Sequence, residues 1–162
     1  IEGKTAVLFS AAAAAGIEIT GAPAAQVEAM RVYGLELGMA FQIMDDALDY
    51  TASAEQMGKN AGDDFADQKI TLPTILAWQD GDAEERAFWQ RTLGEADFAE
   101  GDLERAQALL ASHDAVNRSV VVAHDHAVKA GAALTPFIGD ERTATLARAL
   151  ADAALFAAHR AS

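Results

Sequence analysis

The stretch from Ala24 to Tyr50 contains no proline, and its centre, Val32–Leu48, reads VYGLELGMAFQIMDDAL. That segment is apolar nearly all round, apart from Glu36, Gln42 and the Asp pair. A helix over Ala24–Tyr50 would be about 40 Å long. A helix apolar on every face belongs in the middle of a bundle. The rest of the chain agrees: of 162 residues 39 are Ala and only 3 are Pro. Many good helix formers and few breakers predict an all-α protein.

Further helices are expected around this one. Lys4–Gly16 is Ala-rich and closes at Gly16 as a C-cap. Pro73 opens a short apolar stretch to Trp78, and Asp82 or a neighbour caps the next helix. Helical patterns follow at Ala83–Leu93, Leu103–Ser112, Ala115–Leu134 and Glu141–Arg160. No repeat, alternating strand pattern or composition break divides the chain. The length suits one domain of ordinary size, yet the opening Ile1-Glu2-Gly3-Lys4 reads as the middle of a longer protein.

The net charge of −13 excludes a nucleic-acid binder, which needs a basic face. With no Cys, thiolate metal sites and thiol nucleophiles are also excluded, and a reducing compartment such as the cytoplasm is expected. The longest charge-free run, Thr5–Ile17, is too short to cross a bilayer and lacks the basic start and cleavage site of a signal peptide.

At 100° per residue, Gln42, Asp45, Asp46 and Asp49 fall within about 100° of one another, on the stripe that carries Gly34, Leu35, Gly38 and Met39. The acids are therefore expected to face the bundle interior rather than a solvated surface. Carboxylates at i, i+1 and i+4 repel one another unless something positive lies among them. Mg²⁺ suits such a site, since it takes one or two carboxylates and completes its shell with water and phosphate oxygens. The following loop sets Lys59 and Lys69 among Asp63, Asp64 and Asp67, as partners for a diphosphate. Lys4-Thr5 opens a helix, where free N–H groups and a lysine favour an anion.

In order along the chain, GKTAVLF (Gly3–Phe9), FQIMDDALDY (Phe41–Tyr50) and GKNAGDDFADQKITLP (Gly58–Pro73) resemble the C-terminal half of the all-trans polyprenyl diphosphate synthases. FQxxDDxxD is that family's second aspartate-rich motif, and the loop wording is most similar to its octaprenyl and decaprenyl members, which supply quinone side chains. Residues 74–162 fit in helical content only. The resemblance implies an isoprenoid-synthase helical bundle, a homodimer, that joins isopentenyl diphosphate to an allylic diphosphate with Mg²⁺. Carried over by motif, Asp45 and Asp49 would hold the metal with Asp46 assisting. Lys4 and Lys59 would hold the allylic diphosphate, while Thr5, Gln42 and Lys69 would line the reacting centre or the second substrate. Gln68 stands where relatives often have Gly. The family's first aspartate-rich motif and paired arginines have no counterpart here, so these 162 residues alone are expected to be inactive.

Two other readings compete. One takes Gly3-Lys4-Thr5 as the tail of a nucleotide-binding phosphate loop, with Val120–Asp125 as an acidic strand end; it needs strands the pattern lacks. The other is a non-catalytic partner subunit, or a short-chain synthase, of the same fold. His124 and His126 diverge too far on a helix to share a metal and are expected on its surface. His113 and His159 are without clustered partners. Trp78, Phe88, Trp89 and Phe156 read as packing residues, Gly34 and Gly38 as a close helix approach. The acid-rich stretches Asp80–Glu85 and Asp97–Glu104 read as solvated faces.

Overall fold

The computed structural model of the protein describes residues 2–50, 62–139 and 141–158, the side chains of Glu2, Lys4 and Arg142 excepted. Every regular element among them is helical. A π-helical turn, Glu2–Ala6, leads into α1 (Val7–Glu18) and then α2 (Ala24–Asp49). A four-residue α3 (Asp63–Ala66), α4 (Leu72–Asp80) and α5 (Ala83–Trp89) follow, and α5 runs into a π turn at Gln90–Gly94. The chain continues through α6 (Asp102–Ser112), α7 (Ala115–Ala133), a 3₁₀ turn at Thr135–Phe137 and α8 (Glu141–Ala157). Lys59 and His159 lie outside the described residues. Helix α1 continues past the expected stop at Gly16, because Gly16 keeps helical geometry there. Val120–Asp125 is helical rather than a strand end, so the phosphate-loop reading loses its second element. The expected cap at Asp82 is present: its carboxylate accepts from the Glu84 and Glu85 N–H groups at 2.8 and 3.0 Å, and Glu85 Oε2 accepts from Asp82 N–H.

The chain divides into two compact units, one made of residues up to Met44 together with those from Val121 onward, the other of Asp45–Val120. In the first, α1 lies directly on α2 over two glycines. A Cβ at Gly34 would stand 2.4 Å from the Phe9 carbonyl oxygen, and one at Gly38 would stand 2.6 Å from Ala6 Cα. No other side chain fits that approach. Ser10 Oγ donates to the Arg31 carbonyl at 2.9 Å, and the Phe9 and Phe41 rings meet at 5.7 Å. Alanines at helical spacing, Ala123, Ala127 and Ala130 on α7 and Ala144, Ala147 and Ala154 on α8, supply much of this core. The Ala richness of the composition is thus a packing device: small side chains let helices come close. Tyr33 Oη reaches across to the Leu150 carbonyl at 3.0 Å.

The second unit has a conventional aromatic core, with Phe65, Phe88 and Trp89 buried together with Tyr50 and Leu110. Phe65 packs edge-on against both Trp89 and Phe98. Trp78 is half-exposed, with the Arg86 guanidinium 5.2 Å from its ring centroid, and Phe156 lies open on α8. These two correct the packing assignment made from sequence.

Other polar residues also differ from expectation. Asp102 is only 7% exposed, held in a bidentate pair by Arg91 at 2.8 and 3.0 Å and by the Ala99 N–H at 2.7 Å. The Arg91 guanidinium, followed by that N–H, holds the Asp102 carboxyl below its ordinary range. His113 Nε2 lies 2.9 Å from Glu85 Oε2, and His126 Nδ1 lies 2.6 Å from Glu36 Oε2. His126 is half-buried against α2, not a free surface residue, whereas His124 is exposed. His113 and His126 each found an acid on another helix, a partner that sequence spacing does not reveal.

Candidate active site

The C-terminal end of α2 carries the three motif carboxylates, and they do not share one environment. Asp45 is exposed, Asp49 is half-buried, and Asp46 is 6% exposed, turned to the side of Ala47 and Tyr50. The expected common interior stripe is corrected here: one residue of helix is 100° of rotation, enough to send Asp46 inward and Asp45 outward. Asp45 and Asp49, four apart, remain on one face.

Asp49 is tied to the segment after the motif by two bonds. Its main-chain carbonyl accepts from Gly62 N–H at 3.1 Å, and its Oδ2 accepts from Asp64 N–H at 3.0 Å. Gly62 has φ +87°, a conformation that suits glycine, and a Cβ there would also strike Leu103 at 2.4 Å. Burial, more than any other influence, pushes the Asp49 carboxyl above its ordinary value, and the Asp64 and Asp63 charges add to this. The Asp64 N–H and Lys69 act in the opposite direction. A half-buried carboxylate among like charges is a site that a cation would stabilise.

Helix α3 is only four residues long, and its ending places the lysine. The Lys69 N–H donates to the Asp64 carbonyl at 2.9 Å and the Gln68 N–H to the Phe65 carbonyl at 3.1 Å. These two bonds form a Schellman motif, with Gln68 as its left-handed residue at φ +56°. Glycine is the usual occupant of that position, which explains the departure noted in the sequence. The turn folds Lys69 back over its own helix, so that Nζ lies 2.6 Å from Asp64 Oδ1 and 3.3 Å from Asp67 Oδ2. Asp64 therefore meets the motif carboxylate through its N–H and the lysine through its side chain. Sequence reading noted the acids around Lys69 but did not single out Asp64; the non-glycine residue at a helix stop was the available signal.

In the other unit, Thr5 Oγ1 donates to Gln42 Oε1 at 2.7 Å, which joins two residues expected near the reacting centre. Thr5 is presented by the π turn, Gln42 by α2. The Lys4 side chain and the whole of Lys59 lie outside the described residues. Next to the motif, the Tyr50 and Thr71 hydroxyls are buried, and among the described residues neither makes a hydrogen bond of good geometry. Burial raises the Tyr50 phenol well above its ordinary value.

Among the described residues no three His, Asp or Glu groups are gathered closely enough to hold a metal by themselves. The available donors are hard carboxylate oxygens with excess negative charge around Asp49. That donor set fits Mg²⁺, which needs only one or two protein carboxylates when phosphate oxygens and water complete its shell. No helix of the described residues is long and apolar enough to cross a membrane.

The all-helical frame matches the isoprenoid-synthase fold of solved polyprenyl synthases. The Polyprenyl synthetase family model matches residues 1–110, and the chain belongs to that family. It is 36% identical over 130 residues to the octaprenyl diphosphate synthase of Haemophilus influenzae, covering 80% of this chain and 39% of that protein. It is 45% identical over 85 residues to the octaprenyl diphosphate synthase of Escherichia coli, covering 52% of this chain and 26% of that one. A crystal structure of a polyprenyl synthase from Caulobacter crescentus, complexed with calcium and isoprenyl diphosphate, superposes with a TM-score of 0.88 at 43% identity. That match covers all of this chain and 48% of the other. A decaprenyl diphosphate synthase from Rhodobacter capsulatus gives a TM-score of 0.87 at 42% identity, over 99% of this chain and 48% of that one. The chain thus spans about half the length of these solved structures, and less of the two curated relatives.

Proposed function

We propose that this chain carries part of the active site of a long-chain all-trans polyprenyl diphosphate synthase, a prenyltransferase that condenses isopentenyl diphosphate with an allylic diphosphate. The observation that carries this reading is the linked set Asp49, Asp64 and Lys69, which puts a motif carboxylate and an ammonium in one network. The calcium and isoprenyl diphosphate in the Caulobacter crescentus structure support divalent cations and prenyl diphosphates as the ligands. The likeness to octaprenyl and decaprenyl synthases supports a long product, a quinone side-chain precursor. On the same reading the protein is a cytoplasmic homodimer.

Lys4 and Lys59 hold the allylic diphosphate, which leaves when its carbon–oxygen bond ionises, and Lys69 meets a diphosphate at the reacting centre or on the second substrate. Asp45 and Asp49, with Asp46 beside them, would hold Mg²⁺, which when bound stabilises the charge of the leaving diphosphate. Thr5 and Gln42 orient the reacting chain, and apolar walls keep water from the allylic cation. The homoallylic double bond attacks that cation, and loss of one proton restores a neutral, longer chain.

The test is elongation of farnesyl diphosphate by isopentenyl diphosphate in the complete protein, with product lengths resolved by chromatography. Absence of elongation would overturn the reading and favour a non-catalytic partner subunit. At limiting Mg²⁺, Asp45→Ala and Asp49→Ala are each expected to lower turnover at least tenfold, roughly the loss of one charge-assisted contact. Unchanged turnover in both would remove the metal assignment.

A further inference from the structure

The Lys69 ammonium is paired with two neighbouring carboxylates. Its side chain is 50% exposed, yet Asp64 stands at 2.6 Å and Asp67 at 3.3 Å. Surface pairs between two long, free side chains are weak because both must be ordered. This pair differs in that its two residues are held close together by main-chain bonds. Asp64 is 15% exposed, its carbonyl accepts the Lys69 N–H at 2.9 Å, and its own N–H is fixed to Asp49 Oδ2 at 3.0 Å. These main-chain bonds fix where the two side chains start and so keep the Asp64 carboxylate within reach of the ammonium.

We propose that Asp64 makes the Lys69 position selective for metal-complexed diphosphate over the free anion. The proposal rests on the functional reading above and deepens it. A free diphosphate reaching Lys69 must displace a carboxylate in contact with it, and it then meets the negative charge of Asp64 and Asp67, with Asp49 and Asp63 nearby. A diphosphate that carries divalent cations brings positive charge to those carboxylates. The ammonium is then exchanged for another cation, and Asp64 and Asp67 keep a partner. Asp64 thus acts as a specificity-determining residue without touching the substrate's reacting atoms.

The experiment is calorimetric binding of inorganic pyrophosphate to the complete protein, once with a chelator and once with Mg²⁺. Unaltered protein is expected to bind magnesium pyrophosphate and to bind the metal-free anion much more weakly. Asp64→Asn keeps every main-chain bond but removes the charge, and should tighten metal-free binding by about tenfold while reducing the gain given by Mg²⁺. Adding Lys69→Gln should abolish that tightening. Asp67→Asn, at a more exposed site, should give a smaller shift in the same direction and serves if Asp64→Asn fails to fold. A purely structural role would weaken both binding modes together. Normal magnesium pyrophosphate binding with no metal-free tightening in either variant overturns the proposal alone. No magnesium pyrophosphate binding by the unaltered protein overturns the functional reading and the proposal with it.

Discussion

Thr5 Oγ1 donates its hydrogen to Gln42 Oε1, joining the N-terminal π turn to the middle of α2 across 37 positions of sequence. The bond orients the Gln42 amide, because an oxygen that accepts from Thr5 fixes which end of the amide faces it. Thr5→Val keeps the shape and removes the donor. Turnover by the complete protein is expected to fall about three- to tenfold, the worth of one neutral hydrogen bond, while Thr5→Ser restores it. Wild-type kinetics for Thr5→Val would show that the pair only packs.

The glycines of α1 and α2 give opposite predictions for one substitution. Gly34→Ala forces a Cβ against the Phe9 main chain, which cannot move aside as a side chain would. A loss of about 3 kcal/mol is expected. Gly16→Ala meets nothing within 4 Å and lies in a helix, so it should add about 0.5–1 kcal/mol. Thermal melts followed by circular dichroism distinguish them, and equal midpoints for the two variants would contradict the close approach.

Gln68 occupies the left-handed residue of the Schellman turn. Gln68→Gly should relieve its strain and raise stability by about 0.5–1 kcal/mol, after allowance for the freer unfolded chain. Urea midpoints test this; a lower midpoint for Gln68→Gly would mean that the glutamine side chain contributes more than the turn costs.

Acid should weaken the unit built on Arg91 and Asp102. The Asp102 carboxyl is held below its ordinary value, so its contribution is complete above the unfolded value near 4. It is lost as pH falls through the lower folded value. Asp102→Asn is therefore expected to unfold at lower urea than the unaltered protein at about pH 7, and the gap should narrow as pH falls below about 4. A gap that persists in acid would assign the effect to packing.

Much of the fold was legible because its signals are local. The proline-free apolar run from Ala24 gave α2 almost residue for residue, and Asp82 with Glu85 announced a helix start. Gly34 and Gly38, four apart, foretold a close helix approach, though not that α1 makes it. The rest depended on partners far along the chain. Asp102 reads as a surface acid until Arg91 is beside it, and His126 needs Glu36, ninety residues away. Helix α3 is too short for any periodicity, so the turn that delivers Lys69 to Asp64 left only the oddity of Gln68. The carboxylates were found by motif, but their separate exposures follow from the packing around Asp46.

Trp78 and Trp89 both belong to Asp45–Val120, and they are the only tryptophans in the sequence. Intrinsic tryptophan fluorescence therefore watches one unit and is blind to the other. Trp89 is buried and Trp78 half-open, so the emission should shift to the red as that unit melts. The Ala-packed unit, with Tyr33, contributes to the far-ultraviolet dichroism but to no tryptophan signal. Superimposed transitions by the two probes would mean that the units unfold together. Separated ones would resolve the alanine core from the aromatic core within a single chain.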